Sequence, residues 1–155
     1  MITPIINPFL RALCKNNFAI SSYNIYRPIT PIGVEHKVSV NDKLVHALVR
    51  FSLLNTSLLV VEDNNCDIIG VYTRDMYLRN IARLDGRSDR VFIGELYRPK
   101  EHDSVAYTDT TLIDCYDKIM RHNINDLLVL DKNNSKKFGV IGSNDIIHTI
   151  LNSIR

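Results

Sequence analysis

The sequence predicts a mixed α/β (α+β) fold built from two β-α-β-β-α repeats with pseudo-twofold symmetry. The first observation is an internal duplication, because the pattern of residues 58–81 returns without a gap at residues 127–150. In both copies an apolar run meets an acidic residue and an Asn-Asn turn, and a second apolar run follows around a glycine. The apolar period then changes from strand-like to helix-like. Each copy therefore predicts strand, turn, strand and helix.

The duplication extends upstream at a spacing of roughly 68 to 71 positions, as expected for repeats whose loops differ in length. Residues 24–28 (NIYRP) match residues 95–99 (ELYRP), so repeat 1 is expected to begin near Ser22. A helical stripe of apolar residues also occurs twice. It is formed in one copy by Leu44, Ala47, Leu48 and Phe51, and in the other by Leu112, Cys115, Tyr116 and Ile119.

In repeat 1 (residues 22–81) a short strand is expected at residues 38–40. A helix follows over residues 43–54, capped by Asn41 or Asp42. The next strands, 58–62 and 67–72, are apolar on both sides, so both of their faces should be buried. The last helix begins at Thr73 and is expected to carry Tyr77, Leu78 and Ile81 inward.

The connector, residues 82–94, ends in a short apolar stretch, which predicts a turn of helix around Ile93. Repeat 2 (residues 95–155) is then expected to contain strands at 104–107, 127–130 and 138–141. Its helices are predicted over 111–121, capped by Asp109 or Thr110, and over 144–154. Leu151 and Ile154 extend the final apolar stripe, which predicts a packed C-terminal turn.

These elements resemble the CBS domain, named after cystathionine β-synthase. The resemblance rests on a strand of apolar residues ending in an acid, and on a strand that ends Gly-apolar-apolar-Thr/Ser-x-x-Asp before a helix. Two tandem copies resemble the CBS pair, or Bateman module, over residues 22–154. Within that family the chain is most similar to plant mitochondrial proteins consisting of one CBS pair, through Arg79 and Gly86-Arg87-Ser88.

The resemblance implies an adenine-nucleotide site (AMP, ADP or ATP) in a cleft between the copies. An Asp at the helix start would bind the ribose hydroxyls, and a Thr or Ser three residues earlier would contact phosphate. Repeat 1 departs from this pattern. It keeps Thr73 but has Met76 where the Asp belongs, with Asp75 one position early and turned about 100° round the helix.

Repeat 2 departs in the opposite way, since it keeps Asp145 but has Gly142 in place of the Thr, with Ser143 beside it. Losing one hydrogen bond to a charged group costs about 1.5–3 kcal/mol, which weakens binding roughly ten- to hundredfold. We therefore expect degenerate sites with weak or no affinity for nucleotide. Any binding should be centred on Asp145 and Ser143.

No catalytic or metal-binding pattern is present in the sequence. The five histidines show no HExxH spacing, and there is no GxSxG, P-loop or GxGxxG motif. The cysteines form no CxxC; Cys115 is expected in the core and Cys66 at the surface, which suits a reducing compartment. We predict no catalytic residue, no metal ligand and no enzymatic activity.

The N-terminal basic arm, residues 1–21, has the composition of a mitochondrial targeting segment, and we expect a matrix location. Residues 1–34 contain no Asp or Glu but carry Arg11, Lys15 and Arg27. A chance absence of acids is the alternative. Because the apolar residues of the arm have no counterpart in repeat 2, residues 1–24 are expected to bind a partner or fold back along the pair, outside the core.

Composition limits the remaining functions. The chain is 45% hydrophobic and 23% charged, with a net charge of +2. No apolar run approaches the roughly 20 residues that span a bilayer, and the small charge does not favour nucleic acid. Two functions compete: an accessory or assembly subunit of a larger mitochondrial complex, and a nucleotide-sensing module that modulates a partner enzyme. The resemblance also allows a homodimer of CBS pairs.

Overall fold

The computed structural model describes residues 19–20, 27–28, 36–84 and 90–154. The predictions for residues 1–18 and for Gly86-Arg87-Ser88 lie outside this part of the chain. The mixed α/β prediction with two repeated units is confirmed. The described elements are β1 (Arg27–Pro28), β2 (Lys37–Ser39), α1 (Leu44–Leu54), β3 (Leu58–Glu62), β4 (Ile68–Thr73), α2 (Arg74–Leu84), a 3₁₀ turn (Ile93–Glu95), β5 (Arg98–Pro99), β6 (Val105–Tyr107), α3 (Leu112–His122), β7 (Asp126–Asp131), β8 (Asn134–Gly142) and α4 (Ser143–Ile154).

Two four-stranded sheets have the orders β2-β3-β4-β5 and β1-β8-β7-β6. Strands β2 and β3 pair in parallel, as do β6 and β7. At the opposite edges, β5 pairs antiparallel with β4, and β1 pairs antiparallel with β8. Gly70 lies opposite Pro99, and Gly139 lies opposite Pro28. The predicted equivalence of the two glycines, and of Arg27–Pro28 with Arg98–Pro99, is therefore confirmed.

Each sheet takes its edge strand from the segment that leads into the other repeat. Strand β1 precedes repeat 1 in the chain but pairs in the sheet of repeat 2, whereas β5 precedes repeat 2 but pairs in the sheet of repeat 1. The described residues form two compact units. The repeat 1 unit contains residues 36–84, 90–103 and 133–138, and the repeat 2 unit contains residues 19–20, 27–28, 104–132 and 139–154.

Each unit has its own apolar core between sheet and helices. In the repeat 1 unit the ring of Phe51 lies 6.3 Å from that of Tyr72 and 6.2 Å from that of Tyr77, measured between centroids. Strands β3 and β4 are buried on both faces, as predicted. Cys115 is in the core, where burial raises the pKa of its thiol to about 12, and Cys66 is exposed, again as predicted.

Ile20 corrects the prediction for residues 1–24. It has no exposed surface and packs in the core of the repeat 2 unit. Its N–H donates to the carbonyl of Thr110 over 2.8 Å, just as the N–H of Ile93 donates to the carbonyl of Asp42 over 2.8 Å. The duplication therefore begins before Ser22, and the prediction that residues 1–24 stay outside the core is wrong at Ile20. A single matching isoleucine among dissimilar neighbours left too weak a signal.

The cap of α1 also differs from the prediction. Lys43 takes the N-cap position instead of Asn41 or Asp42. The carboxylate of Asp42 is engaged elsewhere, because it accepts the N–H of Ser39 over 2.9 Å. The Nδ1 atom of His46 accepts the N–H of Lys43 over 3.1 Å, so this backbone donor at the start of the helix has a partner.

The same displacement by one or two residues occurs at α3. Thr111 is the N-cap, and its hydroxyl accepts the N–H of Asp114 over 3.3 Å. The predicted cap Thr110 instead accepts the N–H of Tyr107 over 2.8 Å, which closes the turn after β6. Neither Thr110 nor Asp109 therefore caps this helix.

The outward faces of the helices are more apolar than predicted. Tyr77 packs inward, but Leu78 is 59% exposed, Ile81 is 37% exposed and Leu151 is 48% exposed. Helix α2 carries two apolar stripes, and the one containing Met76 and Tyr77 faces the core. Among the described helices, none combines the length and apolar character that a membrane crossing requires.

The close approach of β5 to β4 requires a glycine at position 70. A Cβ atom there would lie 2.2 Å from the carbonyl oxygen of Arg98 and 2.5 Å from Cδ2 of Tyr97. We expect Gly70→Ala to lower the free energy of unfolding by about 1–3 kcal/mol, because the backbone of β5 must move. Urea denaturation followed by circular dichroism measures this, and an unchanged midpoint would contradict the strand arrangement.

Candidate functional site

The predicted site residues lie where a strand of each sheet runs directly into a helix. Strand β4 ends at Thr73 and α2 begins at Arg74; strand β8 ends at Gly142 and α4 begins at Ser143. The first turn of a helix presents N–H groups without intrahelical partners, together with the positive end of the helix dipole. Both junctions therefore offer a place for an anionic or polar ligand.

At the repeat 2 junction, Asp145 forms the centre of an ion cluster. Its Oδ2 atom accepts the N–H of Gly142 over 2.7 Å and the Nε–H of Arg27 over 3.1 Å. The Nη2 atom of Arg27 lies 3.5 Å from Oδ1 of Asp126. One guanidinium thus bridges two carboxylates. We call Arg27, Asp126 and Asp145 the Arg27 cluster.

The departure from the family pattern at Gly142 follows from this cluster. A Cβ atom at residue 142 would lie 3.0 Å from Oδ1 of Asp126, 3.2 Å from Nη2 of Arg27 and 3.4 Å from Oδ2 of Asp145. A threonine side chain would crowd all three groups. Glycine at this position therefore accommodates the ion cluster, at the cost of the hydroxyl that would contact phosphate.

Strand pairing brings Arg27 to this junction. Arg27 lies opposite Val140 on β8, two residues before Gly142, although it is far from Asp126 and Asp145 in sequence. The sequence analysis identified Gly142, Ser143 and Asp145 but missed Arg27 and Asp126. The repeated Tyr-Arg-Pro segment was the available signal, because its arginine occurs in both lead-in strands.

The repeat 1 junction contains different groups on an equivalent backbone. The hydroxyl of Thr73 accepts the N–H of Met76 over 3.1 Å, so it caps the first turn of α2. Met76 packs against the core of its unit. Asp75 is exposed, and its backbone carbonyl accepts the Nε–H of Arg79 over 3.4 Å. The carboxylate that the family places at this helix start is therefore absent.

The charge at the two junctions also differs. Arg98 lies opposite Val71 in the register that places Arg27 opposite Val140. Ser57 and Met76 stand at the positions of Asp126 and Asp145 in the gapless alignment of the repeats. Burial and the neighbouring positive charge of Arg79 lower the pKa of Arg98. The repeat 1 junction thus lacks the two carboxylates found at these positions of repeat 2, where they outnumber the guanidinium by one.

Across the part of the chain that the structure describes, no three His, Cys, Asp or Glu side chains come together in a way that could hold a metal ion. The carboxylates of the Arg27 cluster are instead neutralised in part by a guanidinium. The polar groups at both junctions are acceptors and donors suited to recognition of a ligand.

Comparison with known proteins identifies the architecture. The CBS domain model matches residues 97–152. The fold is similar to CBSX2 in complex with AMP (19% identity, 89% of this chain and 99% of that chain, TM-score 0.65). It is also similar to a CBS domain-containing protein of unknown function from Bacillus anthracis (12% identity, 90% and 97%, TM-score 0.69) and to CBSX2 from Arabidopsis thaliana (17% identity, 88% and 96%, TM-score 0.65). None of the curated proteins compared matches this sequence.

The contact between Gly142 and the Arg27 cluster can be tested with a double-mutant cycle. Gly142→Ala should lower the free energy of unfolding by about 1 kcal/mol or more, because its methyl group crowds Asp126. Asp126→Ala removes the nearest crowding atom, so the same substitution should cost less in that background. Chemical denaturation of the four proteins measures the coupling. Additive effects would contradict the proposed crowding.

Proposed function

We propose that this chain, which has the fold of CBS-pair proteins and matches the CBS domain model over residues 97–152, is a non-catalytic regulatory module that binds an adenine nucleotide at the repeat 2 junction. The observation that carries this proposal is the position of Asp145 in the first turn of α4. Its side chain is 25% exposed, and one of its oxygens is held by the N–H of Gly142. A fixed, accessible carboxylate at a helix N-terminus suits a ribose diol.

The chemistry of the junction fits a nucleotide in two further respects. A carboxylate accepts hydrogen bonds from both hydroxyls of a ribose, and the first turn of α4 attracts an anionic phosphate. Ser143 follows Gly142 in the chain and is half-buried, and its hydroxyl can replace the missing threonine as a phosphate donor. The complex of CBSX2 with AMP, which has the same fold, supports the ligand class.

Repeat 1 does not support a second site of this kind. Met76 offers no acceptor to a ribose, and Asp75 lies exposed on another side of α2. We therefore propose one nucleotide per chain, bound weakly, and a regulatory effect exerted on a partner protein.

Isothermal titration calorimetry with AMP, ADP and ATP tests this function. The wild-type protein should bind with a Kd in the range of roughly 0.1–1 mM, since one family contact is missing. Asp145→Asn should weaken binding about tenfold or more, because it removes a charged acceptor. Asp75→Asn makes the same charge change on α2 and should leave the Kd unchanged. Absence of binding at millimolar nucleotide, or sensitivity to Asp75 alone, would refute the proposal.

A second candidate function, an accessory subunit of a larger assembly, is favoured by the outer surface of the repeat 1 helices. Val49 is 49% exposed and Leu53 is 68% exposed on α1. The equivalent residues of repeat 2 are Asp117 and Arg121, which form an i,i+4 ion pair on α3. Exposed apolar residues also occur elsewhere on α1, at Val45 and Leu48, and on the neighbouring helix α2, at Leu78 and Ile81. Several exposed apolar residues on two adjacent helices are typical of interaction sites.

The charges around this surface indicate the kind of partner. Arg74, Arg79 and Arg83 are exposed on α2, and Asp75 is the one acidic residue on that helix. Two copies of the same surface would bring like charges together, which disfavours self-association through it. We propose a protein partner that presents an apolar strip flanked by acidic residues. The mitochondrial matrix location, and a contribution of residues 1–18 to docking, remain predictions.

Transplanting the repeat 2 ion pair into repeat 1 tests the docking surface. The double variant Val49→Asp with Leu53→Arg should change the free energy of unfolding by less than about 0.5 kcal/mol, because both positions are exposed. It should lose its partner in quantitative affinity purification with mass spectrometry.

The matched control is Asp117→Ala with Arg121→Ala, which should retain the partner. The alternative is that a second copy of this chain covers the surface, and light scattering on the purified wild-type protein tests it by measuring the oligomeric state. A dimer that the Val49→Asp, Leu53→Arg variant dissociates would show that a second copy covers this surface, and would overturn the assignment to an acidic partner.

A further inference from the structure

The Arg27 cluster is built so that one arginine can change partners. The Nε atom of Arg27 lies 3.1 Å from Oδ2 of Asp145, and its Nη2 atom lies 3.5 Å from Oδ1 of Asp126. The side chain of Arg27 is 58% exposed, whereas those of Asp126 and Asp145 are 27% and 25% exposed. Arg27 is therefore the most accessible member of the cluster.

A guanidinium and a ribose diol compete for the same acceptor atoms of a carboxylate. Each presents two donors, and Oδ2 of Asp145 already accepts from Gly142 and from Arg27. A ribose that binds Asp145 with one hydroxyl on each carboxylate oxygen must consequently displace Arg27 from Oδ2, which already accepts two hydrogen bonds. The displaced guanidinium keeps the longer contact to Asp126, so it stays at the junction and needs a new anionic partner.

We infer that Arg27 selects phosphorylated ligands at the repeat 2 junction by moving from Asp145 to the ligand phosphate when the ribose takes the carboxylate. This inference rests on the proposed function and names the feature of the ligand that the site requires. A neutral nucleoside breaks the ion pair between Arg27 and Asp145 and supplies no anionic group to replace the carboxylate. A nucleotide breaks the same ion pair but supplies a phosphate, with which an arginine forms a strong, often bidentate, interaction.

Asp126 has a distinct part in this exchange. It contacts the Nη2 end of the guanidinium, whereas Asp145 contacts Nε. When Asp145 is taken by the ribose, Asp126 holds the other end of the side chain within reach of the phosphate. Repeat 1 offers no such exchange, because Ser57 and Met76 occupy the positions of the two carboxylates.

The test compares AMP with adenosine in the wild-type protein and in Arg27→Gln. The wild-type protein should bind AMP at least about tenfold more tightly than adenosine, since the charged contact exists for AMP alone. In Arg27→Gln the two affinities should converge from both sides: AMP binds more weakly, because the cation is lost, and adenosine binds more tightly, because Asp145 is freed. Calorimetry and ligand-observed NMR both measure these constants at millimolar ligand.

The opposite direction of the two shifts distinguishes selection from a structural role. If Arg27 only maintained the fold, both ligands would weaken together, and that result would overturn the inference. Arg98→Gln is the matched control on β5 and should leave the AMP-to-adenosine ratio unchanged. If the wild-type protein binds neither ligand, the proposed function itself fails. If it binds AMP and adenosine equally, the function stands and the selection by Arg27 is refuted.

Discussion

The structure depends on an exchange of edge strands between the repeats. Each four-stranded sheet is completed by two residues from the segment that leads into the other repeat, β5 on β4 and β1 on β8. A repeat of about 65 residues would bury only around 60% of its unfolded surface, and an unpaired strand would leave backbone donors and acceptors open. The exchange gives β4 and β8 a second pairing partner. It also imposes the close backbone approach at Gly70 and delivers one arginine to each strand-to-helix junction.

The two strand-to-helix junctions have equivalent backbones but different polar side chains. In repeat 2, Arg27 meets two carboxylates, and the glycine at residue 142 leaves room for them. In repeat 1, Thr73 keeps its hydroxyl, but Met76 turns toward the core. The glycine at residue 142 and the ion cluster are therefore sterically linked. A threonine side chain at this position would overlap the space that Arg27 and Asp126 now fill.

Much of the fold was predictable because the two copies constrain each other. The bounds of β3 and the equivalence of Gly70 with Gly139 follow from matching apolar runs. The Arg27 cluster was not predictable, since Arg27 and Asp145 meet only through strand pairing across 118 residues. Leu78 and Ile81 were assigned to the wrong face because α2 carries two apolar stripes, and the pattern alone does not say which one meets the sheet. The helix caps were displaced by a residue or two, because several polar side chains compete for one role there.

The differences between the repeats indicate a division of roles. Repeat 2 keeps the carboxylate that can bind a ribose and places the Asp117–Arg121 ion pair on the outer face of its first helix. Repeat 1 has lost that carboxylate and carries Val49 and Leu53 on the equivalent outer face. An exposed leucine in place of an ion pair gives no stability to a free protein, whereas it contributes binding energy once a partner covers it. The proposed docking surface thus lies on repeat 1 and the proposed ligand site on repeat 2, and a ligand-responsive regulatory subunit requires both kinds of surface.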